Sequence, residues 1–545
     1  MLALAASGGV SLYFCIVCGF FIAKVANLPA NFAEKTLIGL AAINTITTFA
    51  SLFLPINVAT VAVLAVCSLP LLYVSRNDIR HLFTPGETGK ITLMWSLPFI
   101  LIAFMVSLGP PRPFDTGLYH LQTIKWIEEY AVVPGLANLH GRFGFNPNIF
   151  TLFAATSLAD ICRQEIFSVN FSIYIILVVH FIHKIRSLFR EHGITNILLF
   201  NLIIFIDILF ALQNLSSPSP NFITAVLPFF ILSSAADRHE ETGLKGYVPI
   251  IILCAYVLTV KLAMLPLMLL ALLVIIKHRG EHRTIGWLLA GVTVIMVPWL
   301  ARNIILTGWL VYPFPSVDLF GFDWKVPAAS VIEEKMHVTG WARRPGELHL
   351  AAAQMNMSEW FPIWWRRIFI EHKILFTAAL AAPIAALVSR RITNDHAGYY
   401  AWAVTGTSFT GVLFWLLLAP AIQFGEPFLV TAALSPLLVR KFNISKQKWG
   451  NRRLIAVLYL TVIVFVGIQA KKITRFDLGQ IAFRPQRIKI PEGVGFTTNA
   501  TGGVHTFTPT SGERCYDHAI PCTPYPDSTV VPRGTTLQSG FRHAF

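Results

Sequence analysis

The feature that most limits what this chain can fold into is a succession of apolar runs, each about 15 to 22 residues long. That is the length a helix needs to cross a hydrocarbon layer of roughly 30 Å. In lipid a segment must satisfy its own backbone N–H and C=O groups, so each run reads as a helix. About fourteen such spans fit between residues 2 and 470. Composition agrees, with 55% of the 545 residues hydrophobic and 13% charged, where a soluble domain carries about a quarter charged residues. The expected fold class is therefore an all-α polytopic membrane protein. Residues 2 to 23 lack the basic leader and small-residue cleavage site of a secretory signal and read as a retained span. No internal repeat or low-complexity tract interrupts the pattern.

The formal charge of +15 does not point to nucleic acid, because Lys and Arg sit in short clusters between apolar runs, where they orient the chain. Arg76, Arg80 and Lys90, then Lys184, Arg186 and Arg190, then Lys277, Arg279 and Arg283, then Arg390 and Arg391, then Arg440 to Arg453 share one face. That face is expected to be cytoplasmic. The long segments 110–147 and 305–373 and the tail from 471 then lie outside. Two places strain this count. Asn148 to Ile161 is apolar but must not cross, and is expected to form a half-inserted or interfacial helix. Tyr247 to Lys277 fits two short helices meeting at Lys261, since one long helix would put the Arg440 cluster outside.

The first long loop holds Asp115, either a helix N-cap or a general base or metal ligand. Leu118, Leu121, Ile124 and Ile127 give a narrow apolar stripe suited to the membrane surface. Asp115 and His120 are about 140° apart on a helix, so a shared site needs Asp115 in the turn. His140 lies in a turn-rich stretch, and His120 with His140 alone makes weak metal spacing. Lys261, within the outer leaflet, is either functional or a snorkelling lysine. Arg302, near the end of its helix, suits a lipid-linked phosphate or, equally, a headgroup. Met357 to Arg367 reads as an interfacial aromatic anchor. Asp318, Asp323, Glu333 and Glu334 are further carboxylates that no spacing singles out. Five cysteines (Cys15, Cys18, Cys67, Cys162, Cys254) lie in apolar runs, whereas Cys515 and Cys522 bracket a short outer segment that a disulfide can close.

The run from Pro298 to Pro313 (Pro-Trp-Leu-x-Arg-Asn, then Thr-Gly and Tyr-Pro), together with Asp115 in the first outer loop, resembles the GT-C superfamily of polytopic glycosyltransferases. The Phe-Asp-Thr-Gly-Leu-Tyr-His run and the Cys pair of a tail ending in Gly540-Phe541-Arg542 also look like an uncharacterised family of bacterial multi-spanning membrane proteins. The resemblance covers about residues 91 to 545. It implies additional N-terminal helices at 1–90, a GT-C-like core at 91–470 and an extracytoplasmic tail at 471–545. It further implies transfer of a sugar from a polyprenyl-phosphate donor to a glycan, lipid or protein acceptor at the outer face of a bacterial inner membrane. Carried over by position, Asp115 matches the family's acidic role and Arg302 its arginine motif, with Lys261 at a matching depth for the donor phosphate. Beside them, His120 is read as the catalytic partner that supports Asp115, and Tyr119, His140 and Asn303 as the acceptor or loop side. A divalent metal, Mg or Mn, is an open element of that chemistry. The sequence departs from the pattern where Thr116 follows Asp115 in place of a second acid, and where Gln423-Phe424 replaces an arginine pair. A transporter or flippase of a lipid-linked saccharide, or a polysaccharide polymerase or ligase, is the alternative.

Overall fold

The computed structural model describes residues 1–84, 86–238, 243–346, 348–393, 398–439, 462, 464–469, 481–501 and 504–544. The helices begin with α1 (Leu2–Val25), α2 (Phe32–Ala50), α3 (Val58–Phe83), α4 (Glu87–Ser107), α5 (Leu121–Glu129) and α6 (Phe150–Thr156). They continue with α7 (Val169–His192), α8 (Asn196–Phe210), α9 (Pro220–Ala236), α10 (Gly243–Val260), α11 (Leu267–Lys277) and α12 (His282–Thr307). The last are α13 (Ala328–Arg343), α14 (Met357–Arg367), α15 (Ile370–Thr393), α16 (Tyr399–Leu418) and α17 (Ile422–Ala433). Among the described residues nine of these are long and apolar enough to cross a membrane, and α9 and α11 belong to two shorter apolar helices. The body is thus all-helical and polytopic in character. The expected basic stretch at 440–453 lies outside the described residues, as does most of the expected span at 454–470.

α2 is not among the nine. Its Glu34, Thr36, Asn44, Thr45, Thr47 and Thr48 are all buried, so its polar face is turned to protein, while Ile46 and Phe49 on the other side are exposed. Gly19 and Gly39 let α1 and α2 approach so closely that a Cβ on Gly39 would sit 1.8 Å from the Cys15 carbonyl oxygen. Deeper in, Asn44 Nδ2 donates to the Asn148 carbonyl and to Thr151 Oγ1, each at 2.9 Å, and Tyr256 Oη donates to Asn44 Oδ1 at 2.9 Å. Packing therefore crosses residue 90 without a boundary. Within Asn148 to Ile161, α6 is a short seven-residue helix with every residue buried, while Ile161 beyond it is exposed.

The break at Lys261 is present. α10 stops at Val260, a single turn of 3-10 helix spans Leu262–Met264, and α11 starts after Pro266. Pro266 has no N–H to give a continuing helix and suits a first-turn position. The stripe Leu118, Leu121, Ile124 and Ile127 is also a correction. All four are buried, pressed inward, so the amphipathic helix docks on the protein and not on the membrane surface.

The tail contains two antiparallel hairpins, β1 (Phe496–Thr501) with β2 (Val504–Pro509), and β3 (Val530–Pro532) with β4 (Phe541–His543). It packs on the two long loops. Phe541 N donates to the Pro134 carbonyl at 3.0 Å, and Arg533 grips Asp323 with two bonds of 2.8 and 3.0 Å. Gly540 adopts φ +90, and a Cβ there would lie 2.0 Å from the Pro134 oxygen. Only glycine combines that backbone with that approach. Cys515 and Cys522 are disulfide-bonded, and the closed loop lays its backbone on the segment that follows α4: Tyr516 N donates to Gly117 O at 2.8 Å and Gln122 Nε2 to His518 O at 2.8 Å.

Candidate functional site

Asp115 opens the first long loop, immediately before a π-helical turn at Thr116–His120. That turn is closed by the Leu121 N–H bonding to the Thr116 carbonyl, a five-residue step. An i→i+5 pattern brings residues five apart together, which removes the angular objection to Asp115 and His120, and such turns recur at functional sites. Asp115 makes no capping hydrogen bond with its side chain. The simple N-cap reading therefore fails, and the carboxylate is left to face a cavity.

The cavity has a volume of about 230 Å³ and is bordered by Asp115, Tyr119, Arg142, Lys261 and Lys335, with Asn221 beside the lysine. Lys261 Nζ donates to Asn221 Oδ1 at 2.7 Å and lies 3.6 Å from the centre of the Phe424 ring. The position where the sequence departs from the arginine pattern thus holds a cation against an aromatic face. Arg142 pairs with Glu334 at 2.7 Å. Phe145, Phe314, Phe414, Trp415, Leu418 and Phe424 supply an apolar wall. Trp364 stands one layer behind, 5.8 Å from the Trp415 ring and donating its indole N–H to the Pro420 carbonyl at 2.8 Å. The aromatic anchor at Met357 to Arg367 therefore braces the wall and does not itself border the cavity.

The remaining sequence candidates sit elsewhere. Arg302 is buried, with Nε donating to Asn146 Oδ1 at 3.0 Å and Nη1 to Ser51 Oγ at 2.7 Å. It borders a separate small hollow beside Trp126 and Tyr130. Asn303 is part of the same knot, accepting from Asn146 Nδ2 at 2.9 Å. Arg302 and Asp115 do not meet at one cavity, which corrects the expected donor role of Arg302. The cations that do border Asp115's cavity are Arg142, Lys261 and Lys335. His140 is buried against Tyr525, with ring centres 5.5 Å apart, and does not border the cavity. His120 is buried behind Tyr119, 4.5 Å between ring centres.

Electrostatics divide these groups. Burial pushes the His120 imidazole down to about 4, with Asp115 opposing and Lys261 and Arg142 reinforcing the shift, so it is neutral at pH 7. Burial also lowers His140, to about 3. Burial works against the Arg142 charge as well, but Glu334, Tyr119 and Asp115 outweigh it and hold the guanidinium above its ordinary range. The Tyr119 hydroxyl is raised by burial and then by Asp115. Among the described residues no group of three or more His, Cys, Asp or Glu is placed to hold a metal, so no step is routed through one.

Together these features define a class: a polytopic helical protein with an amphipathic cavity, cationic and carboxylate-bearing at one end and apolar along its wall. The chain belongs to the family described as a domain of unknown function (DUF8201), which matches residues 1–430. The match starts at the first helix, includes every residue named around the cavity, and ends before the tail. No curated protein and no solved structure matches the chain.

Arg142, Lys335, Asn221 and the π turn are the parts that sequence reasoning did not place. Arg142 lies among turn formers in a loop already singled out, and its neighbours Gly141 and Gly144 were its signal. Lys335 follows Glu333 and Glu334 in a helix whose spacing marks nothing. The π turn has no composition signal.

Proposed function

We propose that the cavity binds a polyprenyl-phosphate sugar at the outer face of the inner membrane, and that the protein transfers the sugar to a cell-envelope acceptor. One observation carries this reading: a single cavity joins the uncapped Asp115 carboxylate, the cations Lys261 and Arg142, and a wall of aromatic and aliphatic side chains. An isoprenoid chain needs such a wall, and a phosphate needs such cations.

In this mechanism the acceptor hydroxyl attacks the anomeric carbon of the bound sugar. Its proton passes to the Asp115 carboxylate, and the bond from the anomeric carbon to the phosphate oxygen breaks, leaving the electron pair on the lipid phosphate. Lys261 and Arg142 neutralise the charge that develops there, where preorganised donors matter most. Neutral His120 supports the turn that presents Asp115, acting as a positioning residue. Phe424 and Asn221 together hold Lys261 in place.

The test is transfer from radiolabelled polyprenyl-phosphate sugars to membrane lipid and glycan acceptors by purified protein. Asp115→Asn is expected to lower transfer by about 10²- to 10⁴-fold, with lipid-phosphate binding retained. Equal transfer by a folded Asp115→Asn variant removes the carboxylate from the chemistry, and binding without transfer by wild type favours a transporter of the same lipid.

A further inference from the structure

A second cavity, of about 690 Å³, lies where α3 ends and α4 begins, so that α4 leads from it to the loop carrying Asp115. It is bordered by Glu34, His81, Thr92, His180, Lys184 and Arg238 among its polar residues. This is an unusual place to leave open space, because ionisable groups among apolar helices are costly unless they serve a ligand or each other.

Two of the charges are paired within the protein. Arg238 is bonded to Glu34, whose other oxygen accepts from Asn31 N at 2.9 Å. Lys184 is bonded to Asp237 and donates to Ser233 Oγ at 2.6 Å. Five buried polar atoms on its lining have no hydrogen-bond partner: His180 Nε2, Ser234 Oγ, Arg238 Nε and the two carboxylate oxygens of Asp237, which the Lys184 ion pair holds. Asp237 has its countercharge in Lys184, whereas a guanidinium N–H can only donate and the His180 and Ser234 groups can donate, so these three are open to acceptor oxygens. On the rim, Arg186 donates to Thr92 Oγ1 at 3.0 Å and to the Thr88 carbonyl at 3.3 Å, adding positive charge with no carboxylate beside it in those bonds.

The apolar part of the lining says what carries those oxygens. Leu82, Leu93, Val179 and Leu188 border the same space. α3 and α4 bury only 17% and 22% of their apolar windows in the protein, so this side of the cavity adjoins the lipid layer. The volume falls in the range of small-ligand sites of roughly 300 to 1,000 Å³ and is far larger than an inorganic anion requires. We infer that this cavity is a second ligand site, which takes the phosphate headgroup of a membrane phospholipid, entering between α3, α4 and α7. His180, Ser234 and Arg238 donate to the phosphate oxygens, and the leucines and Val179 hold the first carbons of the acyl chains. Basic pockets between spans are a general means of recognising anionic headgroups. The inference uses none of the residues of the Asp115 cavity.

The experiment is titration of delipidated full-length protein in mild detergent with dihexanoyl phosphatidylglycerol, with dihexanoylglycerol, and with inorganic phosphate. Phosphatidylglycerol is expected to bind wild type and Lys261→Met alike. It should bind at least tenfold more weakly to His180→Phe and to Ser234→Leu, which fills the cavity. Melting curves establish that both variants are folded. No binding to wild type overturns the proposal whatever the variants do. Equal binding of dihexanoylglycerol overturns the phosphate contact, equal binding of inorganic phosphate overturns the lipid, and undiminished binding by both folded variants overturns the location.

Discussion

Two polar clusters differ in where their hydrogen bonds end. Around Arg302, the guanidinium, Asn146, Asn303 and Ser51 bond to one another and to backbone. Around Lys261, the ammonium reaches Asn221 and the Phe424 face, and Asp115 has no capping bond, with open space in front of both. A buried cation that the protein satisfies by itself holds the fold together. A cation that borders a cavity, opposite a carboxylate and beside an apolar wall, is arranged for something that enters. The Pro-Trp-Leu-x-Arg-Asn motif carried the resemblance, yet its arginine belongs to the first kind.

The comparison breaks most readily on stability. Arg302→Met leaves Asn146 Oδ1 and Ser51 Oγ without their donor, a loss of about 2 to 3 kcal/mol, whereas Lys261→Met gives up the Asn221 bond and the Phe424 contact but relieves a desolvated charge, a net change of about 1 kcal/mol or less. Thermal unfolding in detergent reads both, and equal losses would erase the distinction. A smaller effect is expected for Gly540→Ala, whose Cβ would meet the Pro134 carbonyl. The last hairpin should release, and limited proteolysis should cut the tail at least several times faster while helix content stays constant.

Phe424→Leu sharpens the picture of Lys261 by removing the aromatic face and keeping the bulk. A cation–π contact at such a site contributes about 0.5 to 1 kcal/mol, so lipid-phosphate affinity should fall about threefold, measured by equilibrium binding. A separate prediction concerns pH. Burial raises the Glu128 carboxyl from 4.5 to about 8, although Ser157 hydrogen-bonds it. A carboxyl raised in the folded state favours folding fully below 4.5, and that contribution is lost as pH climbs through 8. His120 and His140, lowered from 6.5 by burial, act in the opposite window and weaken the fold as pH falls below 6.5. Between pH 6.5 and 9, therefore, the melting temperature of wild type should decline relative to Glu128→Gln, and parallel curves would deny the burial of that carboxyl.

Much of the architecture was legible because lipid imposes run length on sequence. The break at Lys261 was legible too, since Tyr247 to Lys277 is too long for one ordinary span and Pro266 marks the stop. The expected span at 36 to 55 corresponds to α2, whose threonines a hydropathy pattern tolerates, while their hydrogen bonds to the 148–151 segment become visible only in three dimensions. The stripe from Leu118 to Ile127 has the same spacing whether it meets lipid or protein, and the tail, with Asp517 paired to Lys125 at 2.6 Å, helps press it inward. Within the cavity Asp115, Lys261 and Tyr119 were reachable from loop position and depth. Arg142 and Lys335 were not, because their convergence depends on two loops separated by some 190 residues of chain.

The most direct test is equilibrium binding of a fluorescent polyprenyl phosphate to purified wild type, Lys261→Met and Arg302→Met, each corrected for its folded fraction. The account predicts about 30-fold weaker binding for Lys261→Met, the loss of one charge-assisted contact, and wild-type affinity for the folded fraction of Arg302→Met. Undiminished binding by Lys261→Met, with affinity lost in folded Arg302→Met, would contradict it and return the phosphate to the arginine motif.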